Sequence, residues 1–198
     1  MINLSKAFDT VDHKILLQKL ENYGLRGSVL KWFTSYLENR KQFVYLNNSC
    51  SRNLKVTCGG PNGSILGPLL FILYINDMVN CSKLLKFILF ADDTSIFFSD
   101  KIHKFVFDTL NKELDNLSVL FKINNLSPNV KKTNYIAFGG GNIMNNNNEL
   151  FIHNNVITKV KSSHFFGIII DEKHKWQEHI NWMIYINSQF SKRELYVL

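Results

Sequence analysis

Apolar side chains recur along this chain at two spacings, three-to-four and two, and the switches between them lay out its elements. Residues 1–6 read as a short strand. Asp12 stands where a helix cap belongs, ahead of Leu16, Leu17, Leu20 and Tyr23 at helical spacing, and Gly24 ends the run. A second helix is predicted to start from a cap at Ser28, with Leu30, Phe33 and Leu37 on one side and Trp32 and Tyr36 beside them. Residues 42–46 and 54–58 predict two strands of a hairpin joined by the polar turn 47–53. A loop dense in Gly59, Gly60, Pro61, Asn62 and Gly63 then precedes the apolar stretch 65–78, which predicts a buried helix with Pro68 in its first turn.

Farther on, residues 84–90 and 94–98 are short apolar runs flanking Ala91, Asp92 and Asp93, the pattern of two antiparallel strands around a tight acidic turn. Val106, Leu110, Leu114, Leu117 and Phe121 mark a long amphipathic helix. Strands are predicted at 133–138, 150–152 and 164–170, and a helix from 176 to the end. The low-complexity run 139–148 reads as a surface loop. No internal repeat appears, and helices inserted among mainly antiparallel strands predict an α+β fold, a sheet covered on one face by helices.

Composition narrows the class. Hydrophobic residues make up 45% and aromatics 13% of 198 residues, enough for one packed core and too apolar for a disordered chain. The 23 Lys and Arg outnumber the 16 Asp and Glu. Between Glu38 and Asp92 the basic residues Arg40, Lys41, Arg52, Lys55, Lys83 and Lys86 face a single acid, Asp77, a balance that suits a phosphate-rich partner and is equally compatible with a solvated surface. Cys50, Cys58 and Cys81 lack the close pairing of a zinc site and are odd in number, which points to a reducing, intracellular setting, nuclear or cytoplasmic. The longest apolar run, 65–75, is too short to cross a bilayer and no signal peptide is visible, so neither a membrane protein nor a secreted one is expected.

Two local patterns carry candidate chemistry. Adjacent carboxylates at Asp92 and Asp93 repel each other, and a divalent cation relieves that repulsion; a solvated turn that merely favours Asp is the alternative. The glycines at 59, 60 and 63 permit a left-handed backbone and close approach of main chain to a ligand, or else form a plain turn before a core helix. The six histidines, at 13, 103, 153, 164, 174 and 179, show no ligand spacing. Trp32, Phe33 and Tyr36 read as helix packing rather than a base-stacking platform.

Taken in order, Leu4-Ser5-Lys6-Ala7-Phe8-Asp9-Thr10-Val11-Asp12-His13, the block from Gly60 to Leu70, Tyr74-Ile75-Asn76-Asp77 and Phe90-Ala91-Asp92-Asp93-Thr94 resemble the motif series of LINE-type, non-LTR reverse transcriptases, nearest to jockey-like elements. Asn129-Val130-Lys131-Lys132-Thr133 resembles the next motif of that family's palm, and Phe165-Phe166-Gly167-Ile168 its primer-grip region. Group II intron maturases and telomerase-like proteins are more distant matches. The resemblance implies a palm-type antiparallel sheet with part of the fingers over residues 1–170 and the helical start of a thumb or connection over 171–198. It implies RNA-directed DNA synthesis with two Mg²⁺ ions, an RNA template, a DNA primer and deoxynucleoside triphosphates.

By the same resemblance, Asp92 and Asp93 are metal ligands and Lys132 protonates the leaving pyrophosphate. The backbone of Lys6 and Ala7 lies near the triphosphate, Phe8 gates against a 2′ hydroxyl, Asn62 and Gly63 approach the templating base pair, and Phe165, Phe166 and Gly167 position the primer. Two positions depart from the family pattern. Asn3 stands where that pattern has a catalytic Asp, so an anionic ligand is lost. Asn62 stands where glutamine is usual and reaches one methylene less far. Together with the absence of fingers strands before residue 1, Asn3 predicts a truncated chain with little or no polymerase activity, either a weakened enzyme or an inactive remnant that at most binds nucleic acid.

Overall fold

The computed structural model of this chain describes residues 1–60, 63–139 and 149–194, with side chains through residue 188. In chain order the elements are β1 (Ile2–Asn3), α1 (His13–Asn22), α2 (Gly27–Leu37), β2 (Lys41–Gln42), β3 (Tyr45–Leu46), β4 (Ser49–Cys50), β5 (Leu54–Lys55), α3 (Leu66–Ile75), β6 (Lys86–Phe90), β7 (Asp93–Phe97), α4 (His103–Ile123), β8 (Asn134–Tyr135), β9 (Phe151–Ile152), β10 (Asn155–Val156), β11 (Thr158–Lys159), β12 (Ser162–Phe165), β13 (Ile168–Asp171) and α5 (Gln177–Glu194). Short 3-10 turns at Ala7–Asp9 and Asn76–Cys81 complete the described elements. Among the described residues the result is a mixed α and β structure with small, mainly antiparallel sheets and five α-helices.

The three-stranded sheet runs β1-β7-β6, antiparallel throughout. Along β6 the side chains alternate: Phe87 and Leu89 turn onto the core, whereas Lys86, Ile88 and Phe90 face outward and are exposed. One face of this sheet is therefore covered. Leu114, Leu117 and Phe121 of α4 and Leu70, Phe71, Tyr74 and Ile75 of α3 share the core with Ile2 and Leu4. No helix among the described residues is long and apolar enough to cross a membrane.

Several elements follow the sequence pattern closely. Asp12 caps α1, its side chain accepting from the backbone N–H of Lys14 and Ile15, and Gly24 ends the helix at φ 95°. The amphipathic stripe of α4 buries Leu114, Leu117 and Phe121 as expected. Elsewhere the chain departs from the pattern. The first strand stops at Asn3, because Lys6 adopts a left-handed conformation (φ 49°) and bends the chain into the 3-10 turn that carries Phe8. Ser28 lies inside α2, whose cap position, Arg26, makes no side-chain capping hydrogen bond to the helix. The helix expected over 65–78 is only half buried: Leu69 and Ile72 are exposed, and past Ile75 it tightens into a 3-10 turn.

The run 164–170 is two strands rather than one, folded back at Phe166 and Gly167 (φ 49° and 79°) so that Phe165 pairs with Ile168. Residues 133–138 contribute only β8, which pairs in parallel with β11, a partner no local pattern announces. Of the predicted loop 139–148, positions 140–148 lie outside the described residues.

Candidate active site

The acidic turn is built by the β6–β7 hairpin. Phe90 pairs with Asp93, leaving Ala91 and Asp92 as a two-residue turn, and Ala91 takes φ 50°. An L-residue in that region costs of order 1 kcal/mol, so the turn holds Asp92 at the hairpin tip against a local preference. On the other side of β7 lies β1, in the register Asn3 opposite Asp93. The Asn3 side chain donates from Nδ2 to Asp93 Oδ1 at 3.2 Å. A carboxylate only accepts, so the NH₂ end of the amide must face it.

The segment after α4 is laid along β1. Ser5 N–H donates to Ser127 O (2.8 Å), Asn129 N–H to Asn3 O (2.7 Å) and Asn134 N–H to Met1 O (3.1 Å), with a bridge between Leu4 and Pro128. Lys132 is carried on the turn closed by its own N–H to Asn129 O at 3.0 Å. Below it, the 3-10 turn starts where Lys6 O accepts from the N–H groups of Asp9 (2.9 Å) and Thr10 (3.1 Å). That turn buries Ala7 and sets the Phe8 ring 4.5 Å from the ring of Phe71 in α3.

The glycine loop is clamped onto the same turn. Gly59 N–H donates to Val11 O (2.8 Å) and Gly60 N–H to Phe8 O (3.4 Å). Gly59 has φ 78°, and a Cβ there would stand 3.0 Å from Asp9 O, so conformation and space both demand glycine. His13, buried at the start of α1, completes the clamp: its Nε2 lies 2.8 Å from Gly59 O. A carbonyl only accepts, so Nε2 carries the proton. Spacing alone gives this histidine no ligand role. Its role as a backbone clamp shows only once Gly59 is folded against it.

These pieces enclose a cleft of about 930 Å³ lined by Asn3, Lys6, Ala7, Phe8, Gly63, Asp92 and Lys132, among others. That volume is at the upper end of small-molecule sites. Residues more than a hundred positions apart thus share one cavity. Asp93 does not line it but stands behind Asn3 in β7. Phe165, Phe166 and Gly167 also lie outside it, yet against the same hairpin: the Phe166 ring is 5.0 Å from Phe90 and the Phe165 ring 5.8 Å from Phe97. Asn62 falls outside the described residues.

A site for two divalent ions needs several anionic oxygens. Here the hairpin and its partner strand offer Asp92, Asp93 and an amide whose NH₂ is already given to Asp93; Asp9 also lines the cleft, yet among the described residues no three His, Cys, Asp or Glu side chains gather to hold a metal. The residues present do not fit a two-ion site.

A family model described as reverse transcriptase (RNA-dependent DNA polymerase) matches residues 1–183. The chain belongs to that family. Similar curated proteins include a probable RNA-directed DNA polymerase from transposon X-element of Drosophila melanogaster, 25% identical over 183 residues, and the RNA-directed DNA polymerase from mobile element jockey of Drosophila funebris, 25% identical over 187. A third is the probable RNA-directed DNA polymerase from transposon BS of Drosophila melanogaster, 27% identical over 193 residues. Each match covers 90% of this chain and 20% of the relative, so this reverse transcriptase domain spans about a fifth of the length of those proteins. The likeness to non-LTR, jockey-like elements read from the motifs is therefore borne out.

Proposed function

We propose that residues 1–170 form a reverse transcriptase palm that holds template, primer and nucleotide in the cleft beside Asp92, and that Asn3 suppresses its chemical step. The observation that carries this reading is the single cavity joining Asp92, Lys132, Phe8 and Gly63 from four separate stretches of chain. Each would act through its own side chain or backbone. Lys132 offers an ammonium near a leaving phosphate and can donate its proton there. Phe8, stiffened against Phe71, narrows the cleft where a ribose would carry a 2′ hydroxyl. The left-handed turn at Lys6 and Ala7 presents main chain to phosphate, and Gly63 leaves room for a base pair. Phe165, Phe166 and Gly167, packed on the hairpin that bears Asp92, would hold the primer end. Residues 171–198, of which 195–198 lie outside the described residues, would begin a thumb or connection segment.

In the relatives' reaction class Mg²⁺ is the expected cofactor, and Asp92 and Asp93 are the carboxylates here that would hold a cation. With Asn3 donating to Asp93 the set is one anion short, and no step is assigned through a metal. The test is primer extension on poly(A) with an oligo(dT) primer, in Mg²⁺ and in Mn²⁺, comparing this chain with Asn3→Asp. Little or no extension by the unaltered chain and a rise with Asn3→Asp are expected. Robust extension by the unaltered chain would overturn the role given to Asn3, and failure of both chains to bind a primer–template hybrid would overturn the palm reading.

A further inference from the structure

Between α2 and the glycine loop the chain forms a long hairpin that owns no core. Every residue from Lys41 through Lys55 is exposed, among them Phe43, Val44, Tyr45, Leu46 and Leu54. Two short ladders hold it together, Lys41–Gln42 against Leu54–Lys55 and Tyr45–Leu46 against Ser49–Cys50, closed by Asn47 and Asn48 with φ 48° and 60°. The register slips by one residue between the ladders, which introduces a bulge and added twist. A two-stranded hairpin is marginal in water by itself. One with five large apolar side chains in solvent calls for a covering partner.

The charges say what kind. Arg40, Lys41, Arg52 and Lys55 lie on the hairpin, and no acidic residue occurs from Arg40 to Asn76. None of the four is in an ion pair among the described residues. Lys41 and Lys55 stand directly opposite each other across the ladder, a like-charge pair that destabilises the hairpin in isolation. A neutral or basic protein surface would not relieve that repulsion; a polyanion would. Phe43 and Tyr45 add exposed rings on which unpaired bases can stack.

The hairpin is also fixed to the cleft. Val56 N–H donates to Arg40 O at its base, Cys58 bridges to Asp12, and the next residue is the clamped Gly59. A strand leaving the cleft past the glycine loop meets the hairpin next along the chain. We infer that this basic, aromatic hairpin is a docking surface for single-stranded nucleic acid, guiding the unpaired template toward the cleft. This rests on the reading of the cleft as a palm.

The probe is a fluorescein-labelled oligouridine of about 12 nucleotides, followed by anisotropy at about 50 and about 200 mM salt. Replacing Arg40, Lys41, Arg52 and Lys55 together by Gln is expected to weaken binding at least about tenfold and to flatten the slope of log affinity against log salt by about 2 to 3. Phe43→Ala with Tyr45→Ala is expected to weaken binding by about fivefold or more at an unchanged salt slope. Lys104→Gln with Lys112→Gln, on α4, serves as the control that leaves both unchanged. Hairpin variants that bind like the unaltered chain would overturn the inference, as would absence of any oligouridine binding. So would a hairpin variant whose sole effect is to abolish self-association in size-exclusion chromatography, since a second copy would then be the covering partner. Extension activity enters none of these readouts, so loss of the polymerase reading and loss of the hairpin reading remain separate results.

Discussion

An amide at position 3 faces a carboxylate at position 93 across one antiparallel pair, and the exchange of an oxygen for an NH₂ changes what that pair requires. With Asn3 the contact is a hydrogen bond to a charged acceptor and closes without help. With Asp the two residues would be like charges in direct cross-strand register, which costs roughly 0.2–1 kcal/mol, in addition to the lost bond. Asn3→Asp is therefore expected to lower the melting temperature in EDTA and to regain it as Mg²⁺ or Mn²⁺ is added, whereas the unaltered chain shows little dependence on either ion. A melting temperature of the unaltered chain that rises with Mg²⁺ as steeply as the variant's would contradict this. His13 and Gly59 are the other single residues on which the cleft turns, and both act on backbone rather than on a ligand.

Among the elements, turns do most of the positioning. Ala91, Lys6 and Phe166 each take a left-handed φ where glycine or asparagine would be easier, and each lies beside a residue proposed to touch substrate. The β13–α5 turn is held by a carboxylate instead. Asp171 accepts from the backbone N–H groups of Lys173, Lys175 and Trp176 at 2.8, 2.9 and 3.1 Å, and His174 and Trp176 both have positive φ. Desolvation in the turn pushes the Asp171 carboxyl up; the three backbone donors, with His174 nearby, together outweigh it and hold the group below its ordinary value of 3.8. Because the folded value is the lower one, the carboxylate's contribution is complete above the ordinary value and is lost as pH falls through the folded value. An acid titration followed by the amide shifts of Lys173, Lys175 and Trp176 should give a shared midpoint below 3.8, absent in Asp171→Asn. A midpoint at or above 3.8 would show that the turn does not favour the charged form.

At the scale of the whole molecule, Tyr74 ties three regions together. Its buried hydroxyl donates to Asn124 O at 2.7 Å, after α4, and accepts from Asp12 N–H at 3.4 Å, before α1. Burial pushes its phenol up to about 12, against the pull of the Asp12 N–H and with the Asp12 and Asp77 carboxylates adding to the rise, so the donor proton is retained. Tyr74→Phe keeps the packing but strands a buried carbonyl, and should cost about 1–3 kcal/mol in urea unfolding; a loss within error would mean that water replaces the bond. Beside it Lys19 donates to Tyr74 O and to Asp77 Oδ1, each at 2.6 Å, so that Asp77 of the third motif block holds α1 rather than facing the cleft. The sequence by itself determined the helices with strong periodicity, the capped start of α1, the acidic hairpin and the family, because those signals are local: spacing, a cap, a turn and an ordered motif series. Only the tertiary structure decided that His13 clamps Gly59, that Asn3 satisfies Asp93, that β8 pairs in parallel with β11, and that residues from 3 to 132 share one cleft. Each of those depends on which distant backbone is brought alongside, and a pattern that repeats every two or four residues carries no information about that.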